Sequence, residues 1–288
     1  MSGASRPPSA RPTAAHPTAA DPTAQRPATL PSGLRLDRVV GRGATSTVWA
    51  GRDRRVGRDV AVKVLPLSVD GPDRARLTER FDHELRALAR LAGEPNVLGV
   101  VAAGVEPDCC WIVTDLADGS LADSSLAGDG PLPVERLLSS ASDAAAGLAA
   151  AHRMDVVHGD VTPANVLWMG DRAVVADFGM SALQLGPDPS GTAALGATPG
   201  WAAPERLEGG APTPASDVYG WGATVWSAAT GERPNRHAPP DGRRAPRHIG
   251  VVLDAACHPD PDRRPAMDEL LEAVARERRR RDRYIPGP

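Results

Sequence analysis

The chain has 288 residues, about two domains by length, and a formal net charge of −3, which argues against a general nucleic-acid binder. Hydrophobic residues make up 41% of it but aromatic residues only 3%, so a core must consist mainly of Val, Leu and Ala. Three cysteines, two of them adjacent, provide neither a disulfide framework nor the spacing of a metal site. Since the sequence shows neither a membrane-spanning apolar stretch nor a signal-peptide segment, we expect a cytoplasmic protein with no membrane partner.

Residues 1–33 are rich in Pro, Ala and Thr and contain a degenerate five-residue repeat. The repeated prolines are Pro12, Pro17, Pro22 and Pro27. Regular prolines with almost no large apolar side chain favour an extended, polyproline-like chain and cannot build a core. We therefore predict that residues 1–33 form a disordered tail.

Ordered structure is predicted to begin near Leu34, with a strand, a glycine turn and a second strand. The turn contains Gly41 and Gly43, which allow backbone amides to approach phosphate oxygens with no side chain in the way. A dinucleotide-binding motif would require a helix that opens at the glycines, whereas the residues from Ser46 onward continue as a strand. A hairpin that covers a nucleotide fits better, and an ordinary glycine hairpin is the alternative.

Lys63 lies in the next predicted strand and is the only lysine among the 33 Lys and Arg residues of the chain. The strand otherwise consists of buried apolar residues, and a buried ammonium group requires a partner. An amphipathic helix is predicted directly afterwards, over Asp73–Leu91. Glu84 in this helix borders its apolar face and is the candidate partner, with Glu79 and Asp82 as alternatives.

A predicted hairpin, Val97–Val105 and Cys109–Leu116, completes a small five-stranded antiparallel sheet that carries one helix. Asp118-Gly-Ser is the most plausible domain boundary. Beyond it the composition becomes helical. The predicted helices are Val134–Arg153, Asp217–Thr230 and Arg264–Arg280.

Polar residues flank a further pair of short predicted strands, Asn165–Met169 and Ala173–Ala176. The hairpin brings Asp160, Asn165 and Asp177 to one end. Two carboxylates and an amide suit hard magnesium ions and one proton. This stretch is therefore predicted to hold a site for a proton, two metal ions and a phosphate.

In order and spacing, these motifs resemble those of bacterial, actinobacterial-like Hanks-type serine/threonine protein kinases, over about Leu34 to Arg280. The matching motifs are Gly41-x-Gly43-x-x-Ser46-x-Val48, Val-Ala-Val-Lys63, Glu84, His158-Gly-Asp160 with Asn165, Asp177-Phe-Gly179 and Ala203-Pro-Glu205. The resemblance implies an α+β, bilobal protein-kinase fold. Its N-lobe would span 34–117 and its mainly helical C-lobe 118–280, with a C-terminal tail over 281–288.

The resemblance also implies that ATP lies between the lobes, together with Mg²⁺ or Mn²⁺. Lys63, held by Glu84, would contact the α- and β-phosphates, and Asp160 would orient the substrate hydroxyl and accept its proton. Asp177 and Asn165 would bind the metal ions. The implied nucleotide contacts are Gly41, Arg42, Gly43, Ala44, Thr45, Ser46, Val48, Ala61, Lys63, Thr114, Asp115, Ala117 and Leu167.

The resemblance also implies roles for a segment that docks protein substrates and for residues that hold the backbone near the site. The segment from Gly196 to Glu205 matches the part of the family that docks protein substrates, and Thr198 is typical of its serine/threonine-specific members. Arg264 would pair with Glu205 to brace this segment. Asp217 would hold the backbone of the His158 loop.

The chain departs from the family pattern at several positions. Gly159 replaces an arginine that would receive an activation-loop phosphate, so we expect activity that does not strictly require loop phosphorylation (a non-RD kinase). Thr162 replaces a lysine near the γ-phosphate, which should slow transfer. Residues 231–247 match the expected helix poorly, and Ser46 for the third glycine is a mild change.

Two other interpretations remain. A pseudokinase would bind nucleotide and serve as an interaction module. Such a module could lose any of Lys63, Glu84, Asp160, Asn165 and Asp177, so the presence of all five argues against this interpretation. A small-molecule phosphotransferase would share the His158–Asn165 pattern but lack the Thr198–Glu205 segment and the Asp260–Pro265 motif. The sequence does not specify the protein substrate, the activating signal or the oligomeric state.

Overall fold

The computed structural model describes residues 32–43, 46–67, 72–127, 130–178, 197–235 and 238–282. Nearly all of the predicted tail therefore lies outside the described residues. So do Ala44 and Thr45 of the glycine turn, and Gly179.

The N-lobe is a five-stranded antiparallel sheet with one helix, which confirms the predicted fold class. The strand order is β1-β2-β3-β5-β4. Its elements are β1 (Leu34–Arg42), β2 (Thr47–Asp53), β3 (Arg58–Pro66), α1 (Pro72–Arg90), β4 (Val100–Val105) and β5 (Cys109–Asp115).

Side-chain alternation along β3 determines where Lys63 lies. Val60, Val62 and Val64 are buried on one face of the sheet, with the tryptophans of β2 and β5. The next residues along the strand point to the other face. Leu65 on that face packs against Phe81 of α1. Lys63 is therefore directed to the side of the sheet that α1 covers.

The C-lobe is mainly helical and has α5 at its centre. Its elements are β6 (Gly119–Ser120), α2 (Leu121–Ser125), α3 (Val134–Arg153), β7 (Val166–Met169), β8 (Arg172–Val175), α4 (Pro204–Leu207), α5 (Pro214–Thr230), α6 (Arg247–Ala256) and α7 (Met267–Asp282). Every residue of α5 from Ser216 to Ala229 is buried. Of the helices in the described ranges, none has both the length and the apolar character needed to cross a membrane.

The ends of α5 and α7 differ from the sequence prediction for local reasons. Helix α5 begins at Pro214, earlier than predicted, because Thr213 and Ser216 form a capping box. It ends at Gly231, whose φ of 72° terminates the helix in the left-handed region. Helix α7 begins later than predicted because Arg264 is extended and follows a short 3₁₀ turn.

A backbone contact fixes the loop after α1 to the C-lobe. The Val175 amide donates to the Asn96 carbonyl, and the Leu98 amide donates to the Val175 carbonyl, both at 2.9 Å. Gly147 of α3 lies against this contact, and a Cβ atom added to it would be only 2.4 Å from the Asn96 carbonyl oxygen. The close approach requires glycine, and it sets the position of β8 and of the polar residues that follow it.

Candidate active site

The loop that carries Asp160 is held by a carboxylate at the start of α5. Asp217 is 1% exposed and accepts hydrogen bonds from the backbone amides of His158 and Gly159, both at 2.8 Å. The ring of His152 in α3 lies 2.9 Å from the same carboxylate. A buried carboxylate with three partners fixes the loop backbone firmly, as the resemblance led us to expect for Asp217.

His158 connects this loop to the chain that follows β8. Its Nδ1 accepts a hydrogen bond from the Asp160 amide at 3.2 Å, so its Nε2 carries the proton and donates to the Ala176 carbonyl at 2.8 Å. The ring also packs against Phe178, with centroids 4.8 Å apart. Asp160 and the Asp177 region are thereby held as one unit.

Asp160 has polar partners on two sides. Its Oδ1 accepts a hydrogen bond from the Thr198 hydroxyl at 2.8 Å and a longer one from the Thr198 amide at 3.3 Å. Its backbone carbonyl accepts from the Asn165 amide nitrogen at 2.8 Å. Burial and, to a smaller extent, the charge of Asp177 raise the pKa of Asp160, although Thr198 and His158 oppose this rise. A raised pKa makes Asp160 a better proton acceptor.

Lys63 pairs with Asp177 in this structure. The ammonium nitrogen is 2.8 Å from Asp177 Oδ2, and the lysine side chain is 11% exposed. Asp177 itself adopts a φ of 63°, which is uncommon for a residue other than glycine and is concentrated at functional sites. The structure therefore brings together residues from the N-lobe strand β3 and from the C-lobe hairpin.

The expected ion pair between Lys63 and Glu84 is not formed. Among the described residues, Glu84 pairs with no cation, and burial raises its pKa to about 7. The ammonium of Lys63 lies 2.8 Å from Asp177, and α1 does not bring the carboxylate of Glu84 within ion-pair distance of it. Glu84 reduces the cost of its burial by binding a proton instead. Its role in catalysis remains a prediction.

The raised pKa of Glu84 makes stability depend on pH. The folded protein favours the protonated form, so the contribution of Glu84 is full below its ordinary pKa of 4.5 and is lost as the pH rises towards about 7. Glu84→Gln removes this loss. The unfolding free energy of the variant minus that of the unchanged protein, measured with urea, should increase by on the order of 1 kcal/mol as the pH is raised from 5 to 8. Glu79→Gln, at an exposed position of the same helix, is the control. An equal gain in both variants would contradict the assignment.

The predicted nucleotide contacts of the glycine turn lie at the β1–β2 hairpin. Gly41 is opposite Val48 and Arg42 is opposite Thr47. The Gly43 amide donates to the Ser46 carbonyl at 2.8 Å and closes the hairpin. This agrees with a strand–turn–strand and not with the dinucleotide-binding alternative.

The other predicted nucleotide contacts lie on three strands and the chain between the lobes. Ala61 of β3 is directly opposite Thr114 of β5, and Asp115 is opposite Val60. Ala117 follows β5, and Leu167 lies half-buried in β7. Their contact with adenine remains a proposal.

Asn165 and Asp177 fit a magnesium site. Because the amide nitrogen of Asn165 donates to the Asp160 carbonyl, its amide oxygen is left to face a cation. Asp177 adds a carboxylate that already faces one cation, the ammonium of Lys63. One or two protein oxygens, with the remaining positions taken by water and phosphate, are typical of Mg²⁺.

Arg264 braces the segment Thr198–Glu205, which we call the docking segment. Its side chain is fully buried and forms a bidentate pair with Glu205, at 2.6 and 2.8 Å. It also donates to the carbonyls of His258, Ala215 and Pro259. Burial alone would raise the pKa of Glu205, but the hydrogen bonds from Arg264 hold it below its ordinary value.

Two contacts of the docking segment were not predicted from the sequence. Thr198 had been identified only by type, whereas the structure places its hydroxyl on Asp160. Trp201 is 6% exposed, and the guanidinium of Arg233 lies 5.7 Å from the centre of its ring. No local pattern indicates either contact, because each joins residues that are far apart in the chain.

The small sheet with its one helix, the helical lobe and the polar residues held between them define the bilobal kinase fold. The family model described as the protein kinase domain matches residues 34–274. The chain belongs to the protein kinase domain family.

Curated relatives are bacterial proteins named as serine/threonine-protein kinases. The chain is 35% identical over 230 residues to PknK of Mycobacterium tuberculosis, which covers 78% of this chain and 20% of that protein. It is 34% identical over 268 residues to PkaA of Streptomyces coelicolor, covering 83% and 49%, and 34% identical over 208 residues to PknL of Mycobacterium bovis, covering 72% and 51%. The chain therefore spans about half, or less, of the length of these relatives.

Proposed function

We propose that this chain is a serine/threonine protein kinase that transfers the γ-phosphate of ATP to Ser or Thr hydroxyls of proteins. The observation that carries this proposal is the position of the Asp160 carboxylate. The charge of Asp177 acts on it and raises its pKa, its backbone is bonded to Asn165, and it accepts a hydrogen bond from Thr198 of the docking segment. The family and the names of the relatives support the same activity.

The chemistry requires positioning and charge neutralisation more than covalent participation of the protein. Asp160 would orient the substrate hydroxyl and accept its proton. Lys63 would exchange Asp177 for the α- and β-phosphates of ATP. Bound Mg²⁺ (Mn²⁺ would suit the same oxygens) neutralises phosphate charge and would be held by Asn165 and Asp177.

Incubation of the full chain with labelled ATP, Mg²⁺ and a protein substrate tests the proposal. Incorporation is expected and should depend on Asp160. Phosphoamino-acid analysis should show phosphoserine or phosphothreonine. Phosphotyrosine would overturn the assignment of the acceptor, and incorporation that persists equally in an Asp160 variant would overturn the activity.

The rival functions are less well supported by the site. A pseudokinase could have lost any of Lys63, Glu84, Asp160, Asn165 and Asp177, but all five are present. A small-molecule phosphotransferase would have no need for a segment braced by a buried, bidentate arginine pair. The position of Thr162, where the family has a lysine, leaves one less positive charge and predicts slower transfer.

We also propose that activity does not strictly depend on phosphorylation of the activation loop. Gly159 adopts a φ of 82°, a conformation that glycine takes without strain. It has no guanidinium group that could receive the phosphate of an activation-loop residue. Replacing both Ser190 and Thr192, which lie outside the described residues, by alanine should leave kcat/KM within about threefold of the unchanged protein. Asp160→Asn provides the inactive reference. A double variant as inactive as that reference would contradict the proposal.

A further inference from the structure

The segment between α5 and α6 carries a concentration of positive charge. Within the described ranges, the chain between these two helices forms only one short 3₁₀ turn, Gly242–Arg244. We call residues 231–248, which run into the first turn of α6, the arginine segment. It contains five arginines (Arg233, Arg236, Arg243, Arg244 and Arg247) against two acidic residues, a formal charge of +3 in a chain whose total is −3.

This arginine segment is attached directly to the docking segment. Arg233 lies over the ring of Trp201, at 5.7 Å. Gly200 has a φ of 98°, and a Cβ atom there would be 2.9 Å from the Pro234 carbonyl oxygen. The two backbones are therefore in close contact. Thr198 of the same docking segment is bonded to Asp160, so Arg233 contacts a segment that reaches the candidate catalytic carboxylate.

The arginines are available to an incoming anion. Arg233 and Arg247 are exposed, and no carboxylate of the described residues forms an ion pair with either. Arg243 and Arg244 pair with acids of their own segment, Asp241 at 3.1 Å and Glu232 at 2.6 Å, in pairs that are exposed and therefore weak. Glu205 of the docking segment does not compete, because Arg264 engages it.

Neighbouring helices hold the backbone of the arginine segment at Asp241 and Gly242. The Trp226 indole nitrogen donates to the Asp241 carbonyl at 2.9 Å, and the Gly242 amide donates to Asp254 at 2.8 Å. The guanidinium of Arg244 also lies 5.7 Å from the centre of the Trp226 ring. Cations on a fixed backbone lose less conformational freedom when they bind a partner.

We infer that this kinase selects substrates with acidic residues beside the phosphate-accepting Ser or Thr, and that Arg233 is a specificity-determining residue. The inference rests on the proposed function and names its substrate class. A guanidinium binds a carboxylate in a bidentate manner, so glutamate or aspartate on the substrate gains charge-assisted hydrogen bonds. The same surface repels lysine and arginine on a substrate.

The test uses the full chain and a set of peptides with one acceptor in a neutral background. Glutamates are placed on the C-terminal side, on the N-terminal side or nowhere, and lysines replace them in matched peptides. For at least one side, kcat/KM for the glutamate peptide should exceed that for the neutral peptide by roughly 3- to 10-fold, and the lysine peptide should be poorer than neutral. The preference should shrink as salt is added.

Charge reversal identifies the residue. Arg233→Ala should reduce the preference for glutamate, and Arg233→Glu should turn it into a preference for lysine. Arg278→Ala is the matched control, because Arg278 is an exposed arginine of α7, and α7 packs against α3 and α6. The control should keep the full preference. Thermal unfolding of each variant verifies that the exposed substitutions leave the fold intact.

The outcomes separate this inference from the proposed function. Equal kcat/KM for acidic, neutral and basic peptides overturns the acidic substrate class but leaves the kinase assignment standing. A glutamate preference that survives Arg233→Glu unchanged overturns the role of Arg233. Absence of phosphate transfer to every peptide and protein offered overturns the proposed function itself.

Discussion

Asp160→Asn is expected to lower phosphate transfer by about 10²- to 10⁴-fold, the contribution typical of a positioned general base. Asparagine retains an oxygen that can accept the hydrogen bond from Thr198, and the backbone bond to Asn165 is unaffected. What is lost is the negative charge and the ability to take the substrate proton. The fold and the affinity for ATP should therefore change little.

The measurement compares labelled-phosphate incorporation and ATP titration in the same preparations. Asp171→Asn is the matched control, since Asp171 is an exposed aspartate in the turn between β7 and β8. The control should transfer phosphate at the normal rate. If Asp160→Asn also transfers phosphate normally, the proton acceptor is a different group.

Arg264→Met is expected to be the most destabilising of the substitutions considered, at about 3–5 kcal/mol. Methionine occupies a similar volume but leaves the half-buried Glu205 without its partner, and it leaves three backbone carbonyls without their donor. For a domain of this size the melting temperature should fall by roughly 10 °C. Peptide KM should also rise, because the docking segment loses its brace.

The controls for this prediction separate the buried pair from an ordinary arginine. Arg276→Met in α7 removes an exposed arginine that is 3.9 Å from Glu272, and it should cost less than about 0.5 kcal/mol. Glu205→Gln retains the shape of the pair and provides a milder variant if Arg264→Met does not fold. Stability of Arg264→Met close to that of Arg276→Met would contradict the role of the brace.

The sequence located the polar residues of the candidate site and the bounds of one long helix. The motif order located Asp160, Asn165 and Asp177, and side-chain alternation directed Lys63 to the face that α1 covers. The helix α3 has the predicted bounds, Val134–Arg153, because its Ala and Leu residues have strong local preference and no proline interrupts them. Other helix ends shifted where caps or short turns decided them.

The partner of Lys63 illustrates what local sequence does not contain. Both Glu84 and Asp177 are suitable acids, and the choice between them depends on how α1 lies against the sheet. In the structure Lys63 forms an ion pair with Asp177, and burial raises the pKa of Glu84 to about 7. An ion pair between distant residues is decided by the free energy of the whole fold, including the cost of burying each charge.

The sequence by itself determined the family, the order of the elements and the identity of the polar residues at the candidate site. Those properties depend on residue types, spacing and periodicity, which are local. Only the tertiary structure decided that Thr198 bonds to Asp160, that Asp177 neutralises Lys63, and that Arg233 lies over Trp201. Each of these contacts joins separate elements, so its formation depends on packing that no single stretch of sequence specifies.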